Sequence, residues 1–294
     1  MHRANPPSHN DIETRGLTMT RIWILSALLI FLCAGCDNDQ APPSTNTVEA
    51  IDQDESTKPS WDGFVANFMD DWWRAHPVMA VAKGLHQYDG LFPDWSREGI
   101  AAEIVQLKES LAAARAFDAD TLDDSQRFER DYLIAWIERQ LFWMDDAEWP
   151  FRNIRYYFDY QADRLNPDVY FTKPYAPREE RMAAYTRYAE NLPNALTQIR
   201  DNLAGPMPRT YAQYGLSIFS GMADFTRDEI PGIFAEVEDQ ARQESFAKAN
   251  AGAVASLQIT ADFFESAVQE ATDNFAMGAD LYARMLSEVN PVSY

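Results

Sequence analysis

The sequence predicts an all-α protein, an irregular multi-helix array, and three observations carry that prediction. Apolar and aromatic residues recur at spacings of three and four along successive segments, the period of one helix face. Proline, glycine and Ser or Asp caps punctuate those segments where helices should start and stop. No alternating apolar and polar run of strand length and no internal repeat interrupts the pattern.

Taken in order, Ser60 reads as an N-cap, followed by Trp61, Phe64, Phe68 and Trp72 on one face. This helix should stop before His76-Pro77, because proline disfavours α geometry in the residue before it. Pro77 can open a short helix over residues 78–83, closed by Gly84. Ser96 caps the next helix, with Ile100, Ile104, Leu107 and Leu111 inward. From Asp124 a further helix is expected to turn Phe128, Tyr132, Trp136 and Leu141 inward. Residues 149–173 crowd Tyr156, Tyr157, Phe158, Tyr160, Tyr170 and Phe171 together without a clean period. Such a cluster reads as a core seam, with an aromatic-rich ligand groove as the alternative. Pro177 starts a helix with Met182, Tyr185 and Tyr188 inward. Pro193 is expected to restart it with Leu196, Ile199 and Leu203 inward, up to the break at residues 205–208. Phe219, Met222 and Phe225 suggest one short helix, and Pro231-Gly232 another start. The last stripe runs through Ala253, Leu257, Ala261, Phe264, Val268, Ala271 and Phe275, and is expected to continue past Gly278 into Leu281, Tyr282 and Met285.

The 294 residues, 46% of them hydrophobic and 13% aromatic, suffice for a sizeable core. A net charge of −21 repels phosphate backbones, so no nucleic-acid partner is expected. Residues 1–18 are polar and read as an upstream extension, with Met19 as the start. Residues 19–35 follow as a secretory leader, with Arg21, an apolar stretch to Leu32, and then Cys33-Ala34-Gly35-Cys36. The apolar stretch is shorter than the roughly 20 residues of a membrane span. The Ala-Gly-Cys ending resembles a bacterial lipobox, which makes Cys36 the lipid attachment site and the membrane a partner through that anchor. Cys33 stands where leucine is usual, with Leu32 one place further out. A plain signal peptide cut elsewhere is the competing reading, and the scarcity of free cysteines in exported proteins weighs against it. Residues 36–59, rich in Asp, Asn, Gln, Ser, Thr and Pro, read as a disordered tether. Residues 60–294 form the helical domain. The expected location is the bacterial cell envelope on the periplasmic side, with the choice of inner or outer membrane open.

Chemistry is sparse. No cysteine follows Cys36, and His76 and His86 are the only imidazoles after the leader. They stand ten apart across a proline and a glycine, which matches no local metal-ligand spacing. A His-Glu-x-x-His zinc signature, a Gly-x-Ser-x-Gly elbow, a phosphate loop and a dinucleotide fingerprint are all absent. Acidic pairs such as Asp70-Asp71 and Glu179-Glu180 read as helix caps or solvated faces. The residues therefore assign no catalytic side chain, no metal ligand and no cofactor. The densest gathering of polar and aromatic side chains is residues 76–96, where His86, Tyr88 and Asp89 are candidates for lining a cleft.

This stretch resembles the bacterial family called domain of unknown function 885 (DUF 885). The resemblance rests on His76-Pro77, Gly84-Leu85-His86-Gln87-Tyr88-Asp89 and Leu91-Phe92-Pro93-Asp94-Trp95-Ser96. It continues in Tyr175-x-Pro177-x-x-x-Arg181, Leu192-Pro193 with Asn202-Leu203, and Phe275-x-x-Gly278-x-x-x-Tyr282. It implies an exported, lipoprotein-like member of a helical, zinc metallopeptidase-like family. It also implies that this chain matches only the family's amino-terminal half. The His-Glu-x-x-x-Gly-His-like zinc motif belongs to the other half, so zinc is expected only with that half and none in this chain. The resemblance thus implies a domain inactive alone, read as an amino-terminal half, a truncated or frameshifted copy, or one piece of a split gene whose partner is a separately encoded carboxy-terminal half. The alternative is a non-enzymatic envelope lipoprotein that binds a peptide or protein through its aromatic-rich groove.

Overall fold

A computed structural model describes residues 60–158 and 165–289. The leader, Cys36, the tether and Tyr160 lie outside the described residues. Within them the protein is all-α, and no strand forms. The nearest approach to one is a lone parallel bridge between Pro208 and Thr272.

Helix α1 (Trp61–Ala75) starts where the Ser60 hydroxyl accepts from the Gly63 amide at 3.2 Å, and it buries Trp61, Phe68 and Trp72. His76 ends it, and α2 (Pro77–Ala82) begins on the proline. A 3-10 turn at His86–Tyr88 leads toward α3 (Arg97–Ala116), capped by Ser96 through the Gly99 amide. Helix α4 (Asp124–Leu141) opens with a capping box between Asp123 and Gln126 and runs into a π turn at Phe142–Asp146. Two short helices follow, α5 (Trp149–Arg152) and α6 (Val169–Thr172).

The centre of the molecule is built by three long helices: α7 (Arg178–Asn202), α8 (Arg209–Asp228) and α10 (Gln240–Glu270), with the short α9 (Ile230–Ile233) between the last two. Their inward faces carry Tyr185, Leu196, Ile199, Phe219, Leu257 and Phe264, all essentially without solvent exposure. At 25 cal/mol per Å², burying each such side chain contributes about 1.5–3 kcal/mol. Gly215 lets α8 approach α10, since a Cβ there would run into the Phe264 ring. Polar side chains inside this packing are paired. The Tyr185 hydroxyl donates to Asn250 Oδ1 at 2.7 Å, and Asn250 Nδ2 donates to the Thr226 carbonyl at 2.9 Å, so one amide ties α7, α10 and α8 together. Helix α11 (Ala279–Arg284) ends the described chain in a second π turn, Met285–Val289.

Four expectations need correction. Phe128 and Tyr132 point outward, 71% and 64% exposed, while Ile137 is the buried residue of α4. The aromatic spacing is helical, but the face turned inward carries Leu133 and Ile137, against α1 and α3. Pro193 does not restart a helix: α7 runs through it unbroken, its neighbours Leu192, Ala195 and Leu196 being buried. An interior proline costs about 3 kcal/mol, which burial of two large apolar side chains offsets. The short helix expected around Phe219 has 20 residues. The last stripe breaks: α10 ends at Glu270, Phe275 is 72% exposed, and Gly278 takes φ 88° before α11. The aromatic seam behaves as core, with Tyr156, Tyr157 and Tyr170 buried.

Candidate functional site

The turn after α2 is held against α7 by its backbone as much as by its side chains. Gly90 takes φ 82°, and a Cβ there would stand 2.5 Å from Arg187 Cβ and 2.9 Å from the Tyr188 amide. Only glycine fits both the conformation and the approach. The Gly90 carbonyl accepts from Asn191 Nδ2 at 2.9 Å, and its amide donates to the Tyr170 hydroxyl at 2.9 Å. Burial pushes the Tyr170 phenol well above its usual range, so it remains a neutral partner in this contact. Arg187 Nε donates to the Asp89 carbonyl at 3.4 Å. The nearby Arg181 is buried without a carboxylate. It donates instead to the carbonyls of Tyr170, Phe171 and Ala176, which fixes the segment carrying Tyr170 and Tyr175 onto α7.

On this frame His86, Tyr88 and Asp89 come together. The Asp89 carboxylate is buried, with one oxygen 3.1 Å from His86 Nδ1 and the other accepting from the Tyr175 hydroxyl at 3.3 Å. The His86 ring stacks on Tyr175, centroids 3.6 Å apart and planes 8° from parallel. Burial and the Asp89 charge together hold the Tyr175 phenol well above its usual range, which keeps it a donor. Tyr88 is half-buried against the main core. With Nδ1–H donated to Asp89, His86 presents Nε2 as the ring nitrogen with a lone pair. The arrangement is a fixed imidazole backed by a carboxylate. It can accept a proton or a hydrogen bond, and it has no nucleophile beside it.

His76 takes no part in this group. Its ring is 1% exposed, stacked on Trp72 at 3.4 Å between centroids, with Nδ1 3.0 Å from the Trp72 carbonyl and Nε2 3.0 Å from Glu103 Oε1. Among the described residues, no group of three or more His, Cys, Asp or Glu is placed to hold a metal ion. The partners that build the turn (Tyr170, Tyr175, Arg187 and Asn191) were not singled out from the sequence as belonging to it. They lie roughly 80 to 100 residues away, and only the Tyr175-to-Arg181 motif hinted that this segment belongs with the turn.

Residues 77–292 match the family model described as bacterial protein of unknown function (DUF885). The chain belongs to the DUF885 family. The match takes in the whole turn from Pro77 and every helix after it. Among solved structures, a candidate lipoprotein of unknown function from Shewanella oneidensis shares the fold, with a TM-score of 0.68 at 16% identity. The alignment covers 78% of this chain and 42% of the Shewanella chain, so this DUF885 protein spans less than half of that neighbour's length. A comparison with curated proteins found no match.

Proposed function

We propose that these residues are the amino-terminal helical half of a lipid-anchored, metallopeptidase-like envelope protein, inactive alone, with the zinc-binding half lying outside them. The observation that carries the reading is the coverage: the shared fold accounts for 78% of this chain but only 42% of its solved neighbour. The neighbour's description as a lipoprotein supports an envelope location on the periplasmic side, with Cys36 as the attachment point. Among the described residues no helix is long and apolar enough to cross a membrane. In this reading His86, Tyr88 and Asp89 are contacts to a substrate or to the other half and do not perform the chemistry.

The test is direct. Purified full chain, assayed for metal by elemental analysis and for peptidase activity on a casein-derived peptide mixture, is expected to hold no stoichiometric zinc and to cleave nothing. Stoichiometric zinc, or turnover by the chain alone, overturns the reading. Sequencing the DNA downstream of the gene adds a second check, since a segment encoding His-Glu-x-x-x-Gly-His supports a separately encoded half.

A further inference from the structure

A cavity of about 370 Å³ opens between α5, the segment leading into α8, and residues 272–281 that join α10 to α11. Its volume lies in the range of small-molecule sites, about 300–1,000 Å³. The walls are about equally polar and apolar, with Trp149, Phe151, Met207 and Phe275 among the apolar side chains. Phe275 lines it while remaining 72% exposed, an apolar surface that a bound molecule would cover.

Two donor side chains, Arg152 and Asn153, stand on this cavity. Asn153 is only 3% exposed. Its Oδ1 accepts from the Arg155 amide at 3.0 Å, which leaves Nδ2 without a partner among the described residues. A lining amide whose donors meet no protein acceptor can serve a bound one. Arg152, also on the lining, pairs with no carboxylate among the described residues. It is exposed and so open to an anion from solvent. Behind the wall, the Arg97 guanidinium lies 4.5 Å from the centroid of the Phe151 ring and adds to the positive potential. Of the acids flanking the lining, Asp146 is paired with Arg284 at 2.9 Å and Asp273 faces Arg209 at 3.5 Å, while Glu148 and Asp280 have no ion pair among the described residues. Beyond about 8 Å the rest of the acidic surface is largely screened at physiological salt.

We propose that this cavity binds an amphipathic carboxylate, its apolar body against Trp149, Phe151, Met207 and Phe275 and its carboxylate on Arg152 and Asn153 Nδ2. A free medium-chain acid and the carboxy terminus of a peptide ending in an apolar residue share that chemistry. The inference holds whether or not a second polypeptide completes the fold. Glu148, just outside the lining, takes the left-handed conformation (φ 50°) and so turns the chain abruptly into Trp149.

Isothermal titration calorimetry on the full chain tests it with four probes: octanoate, octanamide, N-acetyl-Leu-Leu and N-acetyl-Leu-Leu amide. At least one acid is expected to bind, and its amide about tenfold or more weaker, as loss of a charge-assisted contact predicts. Arg152→Gln is expected to weaken the acid by a similar factor, and Phe275→Ser to weaken it without affecting the acid-to-amide ratio. Both positions are exposed, so both variants should fold, which circular dichroism checks. Binding of octanoate alone assigns a free amphipathic acid, and binding of the dipeptide alone assigns a peptide carboxy terminus. Absence of binding by both acids at about millimolar concentration, equal affinity for acid and amide, or an unchanged affinity in Arg152→Gln overturns the proposal.

Discussion

The two histidines of the folded region occupy sites built from the same parts and put to different uses. Each ring stacks on an aromatic side chain, Trp72 for His76 and Tyr175 for His86, and each sets a ring nitrogen about 3 Å from a carboxylate. The difference is burial: the His76 side chain is 1% exposed and that of His86 29%. At His76 both ring nitrogens face acceptors from the protein itself, so the residue is spent on joining α1 and α2 to α3. At His86 one nitrogen is tied down and the other is left over. A histidine walled in by the fold is a brace, and one with an exposed edge is available to a ligand.

Substitutions separate the two. His76→Ala is expected to be the most damaging, lowering unfolding free energy by about 3–4 kcal/mol, since it removes a packed ring and takes the imidazole from a buried carboxylate. Urea denaturation measures it, and a loss below about 1 kcal/mol would mean that the pair is only a surface-like contact. Gly90→Ala should come next at about 2–3 kcal/mol, from a left-handed backbone and a clash with α7. If it costs no more than His86→Ala, the turn is not held by its backbone. Asp89→Asn is expected to cost about 1 kcal/mol, because the amide still accepts from Tyr175 while the charge facing His86 is lost. His86→Ala should be the mildest, within about 1 kcal/mol of the parent protein. A proton NMR titration of the histidine ring signals should show His86 responding to added ligand and His76 silent.

The tyrosines sharpen the same contrast between buried and accessible groups. Burial raises the phenols of Tyr170, Tyr175 and Tyr185 above their ordinary range. The unfolded chain therefore loses those protons first, once the pH passes about 10. Stability from these groups is fully present below that pH and is lost above it. An alkaline unfolding transition is expected, and Tyr185→Phe should move its onset upward even though the variant forfeits the bond to Asn250. An unmoved onset would show that Tyr185 does not contribute to the transition.

Much of the fold was legible because local rules and burial agree in α1, α3 and the first half of α7. Ser60, Ser96 and Pro177 stand at helix starts, and Trp61, Phe68, Ile100 and Tyr185 are buried as their spacing requires. Where they disagreed, the reading failed for a reason that lies outside the segment. The spacing of Phe128 and Tyr132 is helical, but spacing cannot say which face a neighbour will cover. Pro193 is a breaker by local chemistry, and only the burial around it keeps α7 whole. Asn153 and Arg152 carried no signal, because an unused donor is visible only once every acceptor around it has been placed.

By itself the sequence determined the all-α class, the caps and the membership of the DUF885 family, because each depends on residues close in the chain or on an ordered series of motifs. Tertiary structure alone decided that His76 is walled in while His86 keeps an exposed edge, and that a cavity opens beside Phe275. Those distinctions rest on partners such as Glu103, Tyr175 and Met207, brought together by the packing of α7, α8 and α10 and not by their order along the chain.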